Sequence, residues 1–437
     1  MPVLSRSLAS IGPAEHGKTA VLAGWVEDVR NLGGIAFLIV RQREGTFQAT
    51  VKKKGNEALF DAASKIVRES VVALQGTVQP NAQVRNGWEL LAMSVEVLAA
   101  AAAPLPLPVA DKVGAEMDTR FDNRFLDLRK PERRAIFRVR SVVLAALREH
   151  LGAQGFLEIH TPKLSGAGAE GGASLFETSY FGRKAFLSQS PQLYKQIVMS
   201  TGMDRVYEIA PAFRAEPSDT VRHVTEFTSF DAEIAWIESQ EEVFHHLEGT
   251  VAHAIERVRA EAKPELDLLH ADPKVPALPL RRLPYTEALE ILRSRGKRVR
   301  DGDDIDTEAE KLLGRALADE GHELYFLTEY PTAIKPFYIM ARPDVPEISF
   351  SFDLEYKGDE MASGGQREHR IGALEARMRE KGLDLAEFDF YLKAFRYGMP
   401  PHGGWGFGVD RFVQKLLDLP NIREAILFPR DRVRLVP

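Results

Sequence analysis

The chain has 437 residues, 44% hydrophobic and 27% charged, with a net charge of −6 and no cysteine. That composition allows two or three globular domains; it excludes disulfides, thiolate metal sites and cysteine nucleophiles, and confines any polyanion site to a local basic surface. No apolar run reaches the ~20 residues of a membrane span and the first residues lack a leader's charged-then-apolar pattern, so neither is expected.

Closely spaced strands open the chain. Residues 21–26, 35–40 and 46–51 are apolar and β-branched, with turns at Asn31-Leu32-Gly33-Gly34 and Glu44-Gly45. A helical patch at 58–68 precedes strands at 71–78 and 88–97. Short strands with one helix before the fourth predict a small Greek-key barrel of the OB type, a fold that often binds single-stranded nucleic acid. Arg30, Phe37, Gln48 and the lysines 52–54 suit such a surface, although Phe37 by itself reads more readily as a core residue and the lysines as a solvated loop. The prolines at 104, 106 and 108 form a stiff connector. We therefore expect domains at 1–103 and 132–437, with 104–131 as linker and hinge.

From Glu132 the pattern turns helical: Ile136, Val139, Val143, Leu147 and Leu151 form one apolar stripe. The helix should end at Gly152–Gly155, followed by a strand at 156–159. Residues 165–173 form a loop of small residues with one acid, Glu170, the composition of a mobile lid. Ser190 and Pro191 are expected as the cap and first residue of another helix. Two strands, 205–216 and 223–236, flank a polar loop. Residues 262–330 read as a looser insertion. Strands are expected again at 333–341 and 347–356, and helices at 368–381 and 385–398.

Three local patterns carry chemistry. Arg214 and Arg222 stand on either side of a hairpin loop, a clamp for phosphate or carboxylate, with Phe227 following where a ring can stack on a base. Asp353 and Glu360 flank a tight turn, so adjacent strands can aim both carboxylates at one site; such a pair beside a phosphate site suits Mg²⁺. Gly404, Gly406 and Gly408 alternate with Trp405, Phe407 and Val409, leaving one bare strand face, and Arg411 stands near the start of a following helix, against its dipole. Taken singly, these read equally as an ion-paired hairpin, a charged turn and a packing bend.

Their order is more specific. A helix–strand ending at Pro162, then Phe213-Arg214-Ala215-Glu216, then Gly404-Trp405-Gly406-Phe407-Gly408-Val409-Asp410-Arg411 resembles the three motifs of class II aminoacyl-tRNA synthetases, at about 134–162, 205–233 and 404–417. Closer resemblance, over essentially the whole chain, is to aspartyl-tRNA synthetases of the short archaeal and eukaryotic type. It rests on Arg124-Phe125-Leu126-Asp127-Leu128-Arg129, Gln189-Ser190-Pro191-Gln192-Leu193-Tyr194-Lys195, Arg222-His223-Val224-Thr225-Glu226-Phe227 and Phe395-Arg396-Tyr397-Gly398-Met399-Pro400-Pro401-His402-Gly403. The tail run Pro420-Asn421-Ile422-Arg423-Glu424 belongs to the same match.

The resemblance implies an α+β chain: an anticodon-reading OB-fold β-barrel, then a class II catalytic domain of antiparallel sheet flanked by helices. It implies a cytoplasmic homodimer that activates L-aspartate with ATP and Mg²⁺ and transfers it to tRNA-Asp or, in relaxed forms, also tRNA-Asn. Catalysis falls to Arg214, Glu360 and Arg411. Aspartate is held by Glu170, Gln192, Lys195, Arg214, Ser363 and Arg367, with Lys195 and Arg367 on its side-chain carboxylate. ATP is held by Arg214, Glu216, Arg222, His223, Val224, Phe227, Glu360, Gly408, Val409, Asp410 and Arg411. Phe227 stacks under adenine, Arg411 covers it, and the bare glycine face accommodates the adenosine. Metal ligands are Asp353, Glu360 and Ser363, and anticodon contacts Arg30, Phe37 and Gln48. Many relatives carry Glu where this chain has Asp410. Glu27, at a position tied to tRNA choice, fits neither the strict nor the relaxed pattern; we read it toward the relaxed one. The competing readings are an asparaginyl-tRNA synthetase, a non-catalytic RNA-binding paralogue and a ligase that forms aspartyl-adenylate without tRNA.

Overall fold

Strict alternation builds the first barrel. Ala20, Leu22 and Val26 on β1 (Thr19–Asn31), Ala36, Leu38 and Val40 on β2 (Ile35–Gln42) and Phe47, Ala49 and Val51 on β3 (Gly45–Lys52) all point inward and are buried. Helix α1 (Glu57–Ser64) plugs one end with Phe60 and Ala63; β4 (Val71–Pro80) and β5 (Trp88–Ala99) complete a closed barrel of order β1-β2-β3-β5-β4. Closure comes from parallel pairing of β3 with β5, so no strand edge is left open. β1 bulges at Glu27, between the pairs Val26–Val40 and Asp28–Ile39.

The computed structural model describes residues 7–110, 114–166, 174–215 and 220–437, and the chain divides at Lys130/Pro131 into two units. In the first, the stretch after the barrel folds into α2 (Met117–Asp122) and α3 (Arg124–Asp127). Asp127, fully buried, pins both: Arg120 donates to it at 3.0 Å and Arg124 at 2.6 Å.

The second unit starts with α4 (Pro131–Ala153), whose expected stripe is buried throughout. Short strands β6 (Leu157–Glu158), β7 (Leu164–Ser165), β8 (Glu177–Tyr180) and β9 (Arg183–Leu187) lead to α5 (Gln192–Met199). That helix starts one residue later than expected: Pro191 is its cap, while the Ser190 hydroxyl accepts from the Gln192 N–H at 3.1 Å. The hairpin β10 (Arg205–Phe213) and β11 (Glu226–Ala235) is followed by α6 (Glu241–Glu261), which packs on α4, and by α7 (Lys263–Leu269).

Residues 262–330 are not the loose insertion expected. They hold β12 (Arg281–Pro284), α8 (Tyr285–Ser294), α9 (Thr307–Asp319) and β13 (Leu324–Thr328), with their own core of Leu283, Leu289, Leu313, Leu317 and Tyr325. Turn signals marked the loops but not the apolar spacing between them. The strand expected at 333–341 is absent as well. Only the isolated bridges Ile339–Arg367 and Ala341–Ser349 form there, because Pro336 interrupts a ladder. β14 (Ser351–Tyr356), β15 (Asp359–Gln366), α10 (Ile371–Glu380), α11 (Asp389–Arg396), β16 (His402–Gly408) and α12 (Val409–Leu416) follow.

The main sheet runs β12-β13-β14-β15-β16-β11-β10-β6. It is antiparallel from β13 to β10 and parallel at both ends, where β12 pairs with β13 and β6 with β10. One face carries Phe230, Trp405 and Phe407 against α4, α6 and α12 and is the core. The other carries the polar residues described next.

Candidate active site

Register sets the site. Asp231 on β11 lies opposite Gly406 on β16, Gly406 opposite Ser363 on β15, and Ser363 opposite Asp353 on β14. Four residues far apart in sequence thus form one cross-strand row on the polar face. Phe227, Ser229, Asp231 and Glu233 share that face because a strand alternates sides at every residue. A cavity of about 500 Å³ opens over Asp231, Gly406 and Ser363 of this row, a size suited to a nucleotide and a small ligand; Asp353, at its end, does not line it. Arg214, Arg222, His223, Val224, Phe227, Gly408 and Arg411 line one part of it, and Gln192, Asp231, Ser363, Arg367 and Gly406 another.

The second part is a buried charge network. Lys195 donates to Asp231 at 3.0 Å and to the Trp405 carbonyl at 2.7 Å, and lies 3.3 Å from Glu233. Arg367 donates to Glu233 at 2.8 Å and to Gln192 at 3.5 Å. Burial works to raise the Glu233 pKa, but Arg367 and Lys195 outweigh it and hold the carboxyl below its ordinary value. The two cations expected to stand surplus for a substrate carboxylate are therefore matched by two internal carboxylates, and Lys195 does not line the cavity. Arg367 does line it, and its Nη1 group has no acceptor among the described residues.

Behind Gln192 runs a relay of amides. Gln192 Nε2 donates to Gln196 Oε1 at 2.9 Å, and Gln196 Nε2 donates to His402 Nε2 at 2.9 Å. His402 Nδ1 donates in turn to the Pro400 carbonyl at 2.9 Å. That tautomer requires a neutral ring. Burial lowers the His402 pKa to about 4, so the ring is neutral at ordinary pH.

At the other part, the Arg214 guanidinium stands 5.3 Å from the centre of the Phe227 ring, and Arg411 Nη1 donates to the Glu360 carbonyl at 2.7 Å. The cation over Phe227 is thus Arg214, while Arg411 holds the strand below. Arg222 is bound to Glu310 and Asp359, and the His223 ring to Thr220 at 2.6 Å. Two ATP-site expectations need correction. Val409 is fully buried in the core and its side chain does not reach the cavity. Asp410 touches the cavity but is committed to structure: it accepts from Arg140 at 2.9 Å and from the Thr228 N–H at 2.7 Å. Burial raises its pKa and Arg140 counters.

The bare face of β16 is not uniform either. A β-carbon on Gly404 would overlap the Ala232 carbonyl and the Glu233 carboxylate, whereas one on Gly406 would lie 3.1 Å from Asp231 Oδ2 and one on Gly408 3.7 Å from the Arg411 β-carbon. The face expected to take adenosine alone is filled at Gly404 by the protein itself and opens beside Asp231 at Gly406.

Of the three expected metal ligands, Asp353 and Ser363 are register partners, and Glu360 lies opposite Glu355 after a bulge. Asp353 Oδ2 accepts from Lys335 at 2.8 Å; its Oδ1 is buried with no partner. Burial, then the charge of Asp353, raises the Glu360 pKa, with Arg411 and Lys335 pulling it back. In the barrel, Arg30, Phe37 and Gln48 share the outer face through the pairs Arg30–Phe37 and Ile39–Gln48; Arg30 bonds Asp28 at 2.8 Å and Gln48 bonds Glu89 at 3.0 Å. Glu27 pairs with Arg41 at 3.2 Å. Glu170 and Glu216 lie outside the described residues.

Asp231 and Lys335 line the cavity and Glu233 braces Arg367 behind it, and all three were missed. Period-two alternation continued from Phe227 would have found the two acids; Lys335 had no signal, since it arrives on an irregular segment.

A family profile described as tRNA synthetases class II (D, K and N) matches residues 116–432, most of the chain. This chain belongs to the class II tRNA synthetases. A second profile, an OB-fold nucleic acid binding domain, matches residues 20–98 of the synthetase. It is 53% identical to the aspartate–tRNA(Asp) ligase of Thermococcus kodakarensis, over 97% of each chain. It is 47% identical to the aspartate–tRNA(Asp/Asn) ligase of Methanosarcina barkeri, over 97% of this chain and 96% of that one. In structure it is similar to the asparaginyl-tRNA synthetase of Pyrococcus horikoshii complexed with asparaginyl-adenylate, with a TM-score of 0.92, 34% identity and 99% of both chains covered.

Proposed function

We propose that this synthetase is an aspartate–tRNA ligase. Arg367 carries the reading. Its buried guanidinium faces the cavity with Nη1 unpaired among the described residues, and its charge favours a side-chain carboxylate over a neutral amide. Asp231, in the same part of the cavity, suits the substrate ammonium.

The α-carboxylate of aspartate attacks the α-phosphorus of ATP in line, forming the mixed anhydride and expelling pyrophosphate. A terminal ribose hydroxyl of tRNA then attacks the anhydride carbonyl and releases AMP. Neither step needs a protein nucleophile; both need alignment and charge stabilisation. Arg214 takes the α-phosphate and the attacking carboxylate, Arg222 and His223 the far phosphates, and Phe227 the adenine ring. Arg411 completes the nucleotide site, and Gln192, fixed by Gln196 and neutral His402, orients the amino acid.

Asp353, Glu360 and Ser363 fit Mg²⁺. An orphaned buried carboxylate oxygen and a carboxyl raised by its neighbour's charge are what a divalent cation relieves. Among the described residues no group of three or more His, Cys, Asp or Glu could hold a metal alone, as suits an ion that completes its shell with water and phosphate oxygens. When bound, the ion neutralises charge on the phosphates.

The outer barrel face with Arg30, Phe37 and Gln48 reads the anticodon. The enzyme works as a homodimer through the motif 1 region, where β6 is an edge strand carrying an exposed Leu157. It acts in the cytoplasm, where its tRNA is used. ATP–pyrophosphate exchange with aspartate and with asparagine tests the amino acid: exchange with asparagine alone overturns the proposal. Aminoacylation of tRNA-Asp and tRNA-Asn transcripts then separates the strict from the relaxed form.

A further inference from the structure

Helix α9 belongs to the segment between motifs 2 and 3, yet its first turn reaches Arg222. Arg222 Nη1 donates to Glu310 Oε2 at 2.8 Å and also to Asp359 Oδ1; Nη2 donates to Thr307 Oγ1. Arg222 lines the cavity, whereas Thr307, Glu310 and Asp359 do not, so they hold the guanidinium from behind. Its Nε–H and second Nη2–H have no acceptor among the described residues.

The approach of α9 is built in. Gly314 follows Glu310 by one turn on the same face, and a β-carbon there would overlap Gly358 Cα in the β14–β15 turn. Gly358 itself has φ +72°. Glycine on both sides seats the helix directly on the turn and fixes where Glu310 sits. Asp359 has a second task, an ion pair with Lys415 on α12. Among the described residues the Glu310 carboxylate has no hydrogen-bond partner besides Arg222, and burial raises its pKa against the pull of Arg222. A half-buried carboxylate at this point contributes little net stability, which leaves aiming the arginine as its use.

We propose that Glu310 is a positioning residue for the nucleotide, holding Arg222 aimed at the β- and γ-phosphates of ATP. It makes α9 part of the ATP site. An arginine fixed beforehand loses less rotamer freedom when it grips an anion, so affinity for the triphosphate rises. This rests on the reading of Arg222 as the grip on the far phosphates.

The test compares Glu310→Ala, Glu310→Gln and Arg222→Ala in full-length enzyme by ATP–pyrophosphate exchange. Glu310→Ala should raise the KM for ATP and for pyrophosphate about tenfold, with the KM for aspartate within about twofold. Glu310→Gln should restore most of the loss, because its amide oxygen still accepts from Arg222. Gly314→Val, which pushes α9 off the turn, should reproduce the Ala pattern. If Arg222→Ala leaves the ATP KM unchanged, the phosphate role of Arg222 fails, and this proposal with it. If Arg222→Ala raises it but Glu310→Ala leaves it unchanged or lowers it, only the proposal is overturned. Equal rises in the KM for ATP and aspartate would also overturn it, as the mark of a merely structural residue.

Discussion

Gly404 and Glu233 share one space: they are cross-strand partners, and the Glu233 carboxylate, together with the Ala232 carbonyl, fills the room a Gly404 side chain would take. That carboxylate braces Arg367 and neighbours Lys195, so the absent side chain on β16 shapes the part of the cavity proposed for the amino acid. Gly404→Ala should cost about 3 kcal/mol by overpacking and by disturbing a buried ion pair. Gly406→Ala, where Asp231 can yield slightly, should fold and raise the KM for aspartate more than that for ATP. Denaturant unfolding and exchange kinetics on both variants check this; a larger effect of Gly406→Ala on ATP would return that glycine to the nucleotide.

His402 makes stability depend on acidity. Above the ordinary histidine range the ring is neutral in folded and unfolded chains, and it adds no pH dependence. Between about pH 6.5 and pH 4 the unfolded chain takes up the proton while the folded one does not, so stability falls with falling pH, by up to about 3 kcal/mol from this residue. Chemical denaturation across that window should show a shallower slope in His402→Gln than in the parent chain.

Asp410 ties α12 to α4 and β11 through Arg140 and the Thr228 N–H. Asp410→Ala leaves a donor and a cation without their acceptor and should cost about 3 kcal/mol. Asp410→Asn keeps the bond from Thr228 and should cost about half as much. Urea midpoints report both; a stable Asp410→Ala with a raised ATP KM would make this residue a ligand contact instead of a strut.

The barrel face and the catalytic cavity should separate kinetically. Phe37→Ala should raise the KM for tRNA about tenfold, the loss of one stacked base, and leave ATP–pyrophosphate exchange unaltered. Equal loss in both assays would show that Phe37 only supports the barrel.

Much of the fold was legible because its signals are local. Alternation gave β1 to β3, and the stripe from Ile136 to Leu151 gave α4. The arginines proposed for the nucleotide stood in short contiguous motifs. What misled was also local: Pro-rich and charged turns hid the apolar spacing of α8 and α9, and residues 333–341 look extended without joining the sheet. Lys195 and Arg367 were expected on the substrate's side-chain carboxylate, but their charge balance was not legible, since Glu233 and Asp231 lie on another strand.

The sequence by itself determined most of the elements, the family and many of the residue types of the site, since periodicity and motif order depend only on near neighbours along the chain. Only the tertiary structure decided the partners. Strand register set Asp231 beside Gly406, Ser363 and Asp353. Helix seating on Gly358 brought Glu310 to Arg222, 88 residues away. Such pairings depend on how sheets and helices close on one another, and no short stretch of chain encodes that distance.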